Sequence, residues 1–396
     1  MSFYEAVRDK EMWLAFKAEE EEKEFKDEKL IKRIDKIVEQ EKYNKFDASY
    51  FANFPLAKIK RIGAYNTSKK RIVYVYPRKD RDVLKFMAYY ILKRYNGKFA
   101  KNSIAYTKGR SVRTAFKLLK DFKIGKDEKV YKNDFSDYFN SIDIEKLEPK
   151  LKRFLGKDID LCLIILSLLK EERVRDGKEI VRPVKGVMAG SPISGILANI
   201  FMDDLDKRML RGGHRYIRYA DDTLIIGKDS LDYFVSEIEK LGIAFNHKKT
   251  KVYTLETGIT FLGFKHVGKI IDVSDKAKDK MKSRLKRRAK WYRQWMLRKN
   301  VKKETAVRDY IKKINFKLFS DQEDSINWSR WYLPNINTGD TLHYLDKYYV
   351  RAIRFIWTGI WIENERHYAL SYEKIKELGF KSLVNEYYKL KKQKTA

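Results

Sequence analysis

The sequence predicts an α+β protein whose last third is all helical. Up to about residue 270, segments with apolar residues at helical spacing alternate with short runs of β-branched and aromatic residues, which are typical of strands. After about residue 275 the strand pattern is lost, and basic residues crowd a helical pattern. With 396 residues, of which 43% are hydrophobic, the chain is long enough for two or three domains that each bury a core.

The N-terminal part predicts helices, then one strand, then a further helix. Within the first fifty residues, Leu30 and Ile34 belong to an apolar series at helical spacing. Residues 69–77 change to β-branched and aromatic side chains, which predicts a strand that Pro77 ends. From Asp80 onward, apolar residues return at helical spacing and predict a helix.

The central part predicts helices separated by short strands. Three helices are predicted by apolar residues at helical spacing, over 144–169, 193–209 and 234–241. A short strand is predicted to lead into Asp134, and another to cover 260–264. Residues 216–226 predict two short strands joined by a tight acidic turn.

The chain is strongly basic, with 87 Lys and Arg against 55 Asp and Glu, for a formal net charge of +32. Such an excess attracts polyanions, and nucleic acid is the usual partner. An anionic membrane surface and simple solubility are the alternatives. Tyr and Phe are plentiful among the basic residues, and this favours stacking on bases over binding of lipid headgroups.

Several protein classes are excluded by composition. The single cysteine, Cys162, excludes a disulfide scaffold and a cysteine-based zinc module. The longest uncharged apolar run, 161–169, is far shorter than the roughly 20 residues that span a bilayer. The first residues lack the pattern of a signal peptide. We therefore expect a soluble, cytoplasmic protein that does not associate with membranes.

The acidic turn contains two adjacent carboxylates, Asp221 and Asp222, between apolar strands. Carboxylates in such a place are costly unless a cation neutralises them, and carboxylate oxygens are ligands that Mg²⁺ prefers. Asp134, at the end of another short strand, is the natural third ligand for a pair of ions that support nucleotidyl transfer. A solvated or helix-capping turn is the alternative for an Asp-Asp pair taken alone.

Ordered blocks between about residues 60 and 265 resemble the reverse transcriptase family. Tyr219-Ala-Asp-Asp222 resembles the family's Tyr-x-Asp-Asp box, and Asp134-Phe-Ser-Asp-Tyr-Phe139 resembles the block with the first metal-binding aspartate. The block from Gly186 to Asp206 resembles the one between them, although Ala189 stands where many relatives carry glutamine, and Gly195 where they carry proline. Asn102-Ser-Ile-Ala-Tyr106 with Gly109-Arg-Ser111 resembles the fingers motif, and Phe261-Leu-Gly-Phe264 the primer-gripping strand.

The resemblance implies a right-hand polymerase fold and a domain order. An N-terminal helical extension is expected over 1–55. Fingers and palm are expected over 56–270, with the palm an antiparallel sheet backed by helices. A basic helical thumb is expected over 271–396.

The resemblance also implies roles for individual residues. The implied catalytic and metal-binding groups are the carboxylates of Asp134, Asp221 and Asp222 with the main-chain carbonyl of Phe135. The implied nucleotide-binding residues are Lys69, Arg71, Phe139, Ala189 and Gly190. Among these, Phe139 occupies the place of the gate that rejects a 2′-hydroxyl, with a core phenylalanine as the alternative. Lys69 and Arg71 are expected to clamp the triphosphate, with exposed charges on an edge strand as the alternative. Leu262 and Gly263 are expected in the primer grip. The residues expected on the nucleic-acid backbone are Lys282, Lys286, Arg287 and Lys290.

The implied activity is RNA-directed DNA synthesis with two Mg²⁺ ions, or Mn²⁺ in their place. Its partners would be an RNA template, deoxynucleoside triphosphates and a DNA product, with the oligomeric state left open. Because the sequence ends without a Cys-rich endonuclease and lacks the retron Asn-Ala-x-x-His and Val-Thr-Gly elements, a bacterial defence enzyme with a dedicated noncoding RNA is favoured. A group II intron or retron enzyme or maturase, an idle RNA-binding chaperone and an RNA-making polymerase are the alternatives.

Overall fold

The structure is a computed structural model that forms two compact units, Met1–Thr254 and Leu255–Ala396, called here the N-terminal and C-terminal units. The residues that it describes are 1–23, 26–63, 70–135, 137–183, 185–245, 250–319, 327–361 and 370–395. None of the helices in these ranges is long and apolar enough to cross a membrane. The mixture of helices with mostly antiparallel sheets, followed by a helical C-terminal region, confirms the predicted α+β class and fits a palm with a thumb.

The N-terminal unit contains eleven α-helices among its described residues. They are α1 (Phe3–Val7), α2 (Lys10–Glu22), α3 (Glu28–Glu39), α4 (Ala48–Ala52), α5 (Arg78–Tyr95), α6 (Val112–Asp121), α7 (Tyr138–Ser141), α8 (Ile144–Leu155), α9 (Ile159–Lys170), α10 (Ser194–Arg211) and α11 (Lys228–Leu241).

Two sheets lie in the same unit. The first has the order β2-β1-β4-β5, with β1 (Lys58–Gly63), β2 (Lys70–Val75), β4 (Val174–Asp176) and β5 (Glu179–Val181). The second is antiparallel throughout, in the order β6-β7-β3-β8, with β3 (Val130–Asp134), β6 (Tyr216–Tyr219), β7 (Asp222–Ile226) and β8 (Lys251–Tyr253). We call this second sheet the palm sheet, since two of the candidate aspartates lie on its strands and the third in the turn between β6 and β7.

The helices of the first fifty residues pack on α5 through an aromatic cluster. The Trp13 ring stacks on Phe86 at a centroid distance of 4.4 Å, and the Phe3 ring meets Tyr90 edge-on at 5.3 Å. Because these rings are buried, the N-terminal helices share one core with the rest of the unit.

The structure corrects two of the predicted elements. Residues 144–169 form two helices, α8 and α9, because the chain leaves the helix at Gly156, where φ is +61°. Residues 260–264 are not one strand, since a tight turn at Leu262 and Gly263 separates two antiparallel strands. The predicted strand within 69–77 and the two strands within 216–226 are confirmed.

The C-terminal unit begins with a three-stranded antiparallel sheet in the order β11-β10-β9, made of β9 (Ile259–Phe261), β10 (Phe264–Val267) and β11 (Ile270–Val273). Its helices are α12 (Asp275–Arg298), α13 (Lys303–Phe319), α14 (Trp328–Tyr332), α15 (Asp340–Thr358), α16 (Tyr372–Glu377) and α17 (Leu383–Thr395). The long basic helix α12 buries Met281, Leu285 and Ala289, and Tyr310 of α13 donates a hydrogen bond to the Leu285 carbonyl. The domain limits expected at residues 55 and 270 separate the extension, the fingers and palm, and the thumb by their roles, and they stay predictions.

Candidate active site

The three candidate aspartates lie at one end of the palm sheet. Asp134, the last residue of β3, pairs directly with Asp222, the first residue of β7. Residues directly opposite in an antiparallel pair project their side chains from the same face. Asp221 belongs to the turn before β7, where Ala220 adopts a left-handed conformation with φ of +57°. The register of two strands thus brings together carboxylates that are almost ninety residues apart in sequence.

The pKa of the Asp221 carboxyl depends on the other carboxylates of this cluster. Burial, and then the negative charges of Asp222 and Asp134, raise the pKa of the Asp221 carboxyl to about 6. The guanidinium of Arg71 acts in the opposite direction and lowers this pKa. Since such effects require proximity, three carboxylates and one arginine of β2 share this region of the N-terminal unit.

Asp222 has a basic partner that the sequence analysis missed. The Lys132 ammonium lies 2.9 Å from Asp222 Oδ1, and both side chains are mostly buried. Lys132 precedes Asp134 by two positions on β3, so the two side chains project from the same face of the sheet. The period-2 alternation of a strand was the signal that could have identified this lysine.

The carboxylates suit a hard divalent cation in their chemistry. Mg²⁺ prefers oxygen ligands, and Asp134, Asp221 and Asp222, with the Phe135 carbonyl, offer oxygens only. Among the residues that the structure describes, no group of three or more His, Cys, Asp or Glu side chains is arranged to hold a metal ion. The oxygen donors thus fit the chemistry of the predicted ions. Their arrangement does not yet form a metal site, because Asp222 is paired with Lys132 and the described acidic side chains are not gathered around one point.

A stability measurement can test the repulsion at Asp221. Because the pKa of this carboxyl is higher in the folded chain than its usual value, its contribution to stability is fully present at low pH and is lost as the pH rises through about 6. With metals removed by a chelator, we expect Asp221→Asn to be about 1–3 kcal/mol more stable than wild type at pH 8. The difference should disappear below about pH 3, where the carboxyl is protonated in both the folded and the unfolded state. Thermal and urea unfolding across this range provide the measurement, and a difference that does not vary with pH would contradict the assignment.

Phe135 and Phe139 follow β3 in different environments. The ring of Phe135 is 3% exposed and stacks on Tyr138 at 5.4 Å, so its side chain is part of the core. Phe139 is half-buried, and its carbonyl accepts a hydrogen bond of 3.0 Å from the Val187 N–H. A side chain on Gly186 would collide with that carbonyl, since a Cβ there would lie 2.2 Å from the Phe139 oxygen. The block beginning at Gly186 therefore packs directly against the backbone of Phe139.

Ala189 and Gly190 attach this block to β2. The Ala189 carbonyl accepts a 2.7 Å hydrogen bond from the Tyr74 N–H. Gly190 has φ of +100°, and a Cβ there would lie 3.0 Å from Val73 Cβ, so the position requires glycine. The close approach that the structure shows at Gly190 is thus to β2, the strand that also carries Arg71. Lys69 lies outside the described residues.

A fully buried polar network supports the turn before β7. The Arg218 guanidinium donates to Asp206 at 3.0 Å, to Asn199 at 3.0 Å, to Ser103 at 2.8 Å and to the Ala220 carbonyl at 3.2 Å. Neither side chain of the Arg218–Asp206 pair is more than 1% exposed. Arg218 therefore joins α10 and the 102–106 segment to the backbone of the acidic turn.

The predicted primer-grip residues form a turn within the C-terminal unit. Leu262 and Gly263 both have positive φ, +53° and +85°. Trp331 donates its indole N–H to the Leu262 carbonyl at 3.1 Å, and a Cβ on Gly263 would lie 2.6 Å from the Tyr332 hydroxyl. Trp331 and Tyr332 thus hold this turn in place.

The four basic residues expected on a nucleic-acid backbone lie along α12 in two environments. Lys282 lies over the rings of Tyr344 and Tyr348 of α15, at 5.7 and 5.5 Å from the ring centroids. Lys286 lies over Trp361 at 5.5 Å, and its side chain is exposed together with Arg287 and Lys290. α12 therefore presents both cation–π pairs and exposed positive charge.

Comparisons with known proteins identify one family and several polymerase structures. The family described as "Reverse transcriptase (RNA-dependent DNA polymerase)" matches residues 59–266, more than half of the chain. Telomerase from Candida tropicalis without its C-terminal domain is similar in structure, with 17% identity, a TM-score of 0.43 and 55% of each chain covered. The RNA-dependent RNA polymerase of BmCPV at the elongation state has 13% identity and a TM-score of 0.46, covering 69% of this chain and 28% of that one. The chain thus spans about half of the truncated telomerase. No curated protein matches it.

Proposed function

Because the chain belongs to the reverse transcriptase family, we propose that it is an RNA-directed DNA polymerase that copies an RNA template with deoxynucleoside triphosphates. The register of β3 and β7 carries this proposal, since it sets Asp134 opposite Asp222 beside Asp221. The electrostatics of the same cluster agree with it: burial and like charge raise the pKa of Asp221, which is a destabilising arrangement typical of functional sites.

Asp134, Asp221 and Asp222, with the Phe135 carbonyl, would hold two Mg²⁺ ions, or Mn²⁺ in their place. When bound, such ions lower the pKa of an attacking 3′-hydroxyl and neutralise the leaving pyrophosphate. The protein supplies fixed positions for the ligands, because Asp134 and Asp222 belong to paired strands and the Ala220 carbonyl next to Asp221 is held by Arg218. Lys132 offers an ammonium that neutralises Asp222 until a cation does so.

The nucleotide is proposed to lie between β2 and the block that begins at Gly186. Arg71 is exposed on β2 and its charge reaches Asp221, so the guanidinium is placed to bind a triphosphate. Phe139 is half-buried beside the same block, where its ring would reject a 2′-hydroxyl. Lys69, which precedes β2, is proposed as a second contact to the triphosphate.

The C-terminal unit is proposed to hold the template and the growing strand. The Leu262–Gly263 turn would contact the primer end, and the exposed charges of Lys286, Arg287 and Lys290 would follow a phosphate backbone. Lys282, although it lies over two tyrosine rings, keeps its charge and adds to the same field.

The test is synthesis by the purified full chain on a defined RNA template with an annealed DNA primer. With labelled deoxynucleotides and Mg²⁺, we expect an alkali-resistant product whose sequence is complementary to the template. A parallel reaction supplies only the RNA that co-purifies with the protein, so that self-priming or protein priming is also detected. The absence of incorporation with Mg²⁺ and with Mn²⁺ in every priming format would contradict the proposal.

An idle RNA-binding chaperone is the second candidate, and one observation favours it. Asp222 is engaged by Lys132, and the described acidic side chains do not surround a common point. If this is the resting state of an active enzyme, Mg²⁺ should raise the melting temperature of wild type but not that of Asp221→Asn. An idle protein would bind RNA and show neither this shift nor synthesis.

A bacterial antiphage-defence enzyme working with a dedicated noncoding RNA is the finer function that we propose, and it rests on the sequence resemblance together with the lack of the retron elements in this sequence. Group II intron and retron enzymes or maturases are the alternatives within the family. Sequencing the RNA and DNA that co-purify with the protein distinguishes them, since a dedicated RNA would be recovered as one abundant species.

A further inference from the structure

Tyr106 has a strained backbone beside the candidate active site. Its φ of +56° lies in the left-handed region, which a bulky aromatic residue rarely occupies. The neighbouring backbone is fixed by two hydrogen bonds of 2.6 Å, from Asn199 to the Ala105 carbonyl and from the Thr107 hydroxyl to the Ile104 carbonyl. Such strain persists only where the surroundings impose it, and it is concentrated at functional sites.

The ring of Tyr106 rests on Gly195 in the first turn of α10. A Cβ at position 195 would lie 2.3 Å from ring atoms Cγ and Cδ1 of Tyr106, a distance that no side chain tolerates. Glycine is unfavourable in a helix relative to alanine, so its presence here is explained by the ring. The proline that many relatives carry at this position could not occupy this space with Tyr106 in its present place.

Seated in this way, the Tyr106 ring contacts the proposed sugar gate. The rings of Tyr106 and Phe139 meet edge to face, with centroids 6.3 Å apart and planes at 73°. The Tyr138 ring lies on Phe139 as well, with a centroid distance of 5.4 Å and a tilt of 58°. Although 46% of the Tyr106 surface is exposed, desolvation of its hydroxyl and the nearby charge of Asp221 raise the pKa of that hydroxyl to about 12, which places this residue near Asp221.

We propose that Tyr106, seated on Gly195, is a positioning residue that holds the Phe139 ring where it excludes a 2′-hydroxyl. The inference rests on the proposed function and adds to it the structural origin of sugar selection. Without the Tyr106 ring, Phe139 loses one of these two aromatic contacts and can turn into the vacated space. That movement makes room for a ribonucleotide, whereas the three aspartates keep their positions.

The measurement is the ratio of kcat/KM for a deoxynucleotide to that for the matching ribonucleotide on one template and primer. In Tyr106→Ala we expect this ratio to fall about tenfold or more, chiefly through a lower KM for the ribonucleotide. Tyr106→Phe should keep the ratio within about twofold of wild type, because the ring rather than the hydroxyl makes the contact. A merely structural role would lower kcat for both sugars and leave the ratio unchanged. Tyr106→Leu replaces Tyr106→Ala if the alanine variant does not fold.

Gly195→Ala tests the same contact from the other side. Its methyl group must displace the Tyr106 ring, so the ratio should fall in the wild-type background and change no further when Tyr106 is already alanine. Gly97→Ala is the matched control, since a Cβ at position 97 meets nothing within 4 Å. If the enzyme is active but substitutions of Tyr106 and Gly195 leave the ratio unchanged, this inference is wrong and the proposed function is unaffected. A wild type that incorporates neither sugar overturns the proposed function, and the inference with it.

Discussion

We expect Asp221→Asn to abolish templated synthesis while RNA affinity remains that of wild type. One of three clustered carboxylates is replaced by a neutral amide, which removes charge stabilisation of several kcal/mol and lowers the rate by about a thousandfold or more. RNA affinity should be unaffected, because a change of one charge is small against a net charge of +32. Primer extension and a filter-binding titration on the same preparation give the two quantities.

Asp229→Asn is the control for this variant. It makes the same substitution eight residues further along the chain, on the exposed surface of α11. We expect it to synthesise DNA and bind RNA as wild type does. If Asp221→Asn retained comparable synthesis, the acidic turn would have no part in the chemistry. If it lost RNA binding as well, a folding defect would be indicated, and circular dichroism would identify it.

The largest effect on stability is expected for Arg218→Met. This substitution leaves the carboxylate of Asp206 buried, with the Tyr216 hydroxyl donating to it at 3.1 Å but without the guanidinium. An uncompensated buried charge of this kind costs about 3–5 kcal/mol. The Ala220 carbonyl loses its 3.2 Å hydrogen bond at the same time, so the acidic turn loses a support. Urea unfolding of the metal-free protein provides the measurement.

Two further variants separate charge burial from support of the turn. The double variant Arg218→Met/Asp206→Leu removes both charges, and we expect it to recover much of the lost stability. Its synthesis should stay low, because the Ala220 carbonyl is still without its arginine. Arg182→Met is the matched control, since Arg182 pairs with Glu172 at 3.9 Å on the surface, where both side chains are more than 70% exposed. It should cost less than about 1 kcal/mol. An Arg218→Met protein as stable as wild type would show that the network is dispensable.

The acidic turn and its partner strand could be predicted because their signals are local. Apolar runs around Asp221 and Asp222 indicated two strands and a turn, and the structure places β6 and β7 there. The block around Asp134 was recognised by resemblance, and its pairing with Asp222 agrees with a shared site. The catalytic roles of these residues stay predictions until the variants are measured.

Features that depend on distant parts of the chain were missed or misplaced. Arg218 lies within an apolar strand, and no local pattern indicated that its guanidinium would bind both Asp206, 12 residues away, and Ser103, 115 residues away. The 260–264 segment looked like one strand, since three of its five residues are large and apolar. Its turn is held by Trp331 and Tyr332 of α14, which no local pattern connects with it.

By itself, the sequence determined the mixed fold class, the helical and basic C-terminal third and the three aspartates, because periodicity, charge and short motifs are properties of neighbouring residues. Only the tertiary structure decided the register that sets Asp134 against Asp222, the engagement of that carboxylate by Lys132 and the seating of Tyr106 on Gly195. These contacts depend on packing and on buried charge. They become favourable only when residues that are far apart in the chain come together and exclude water.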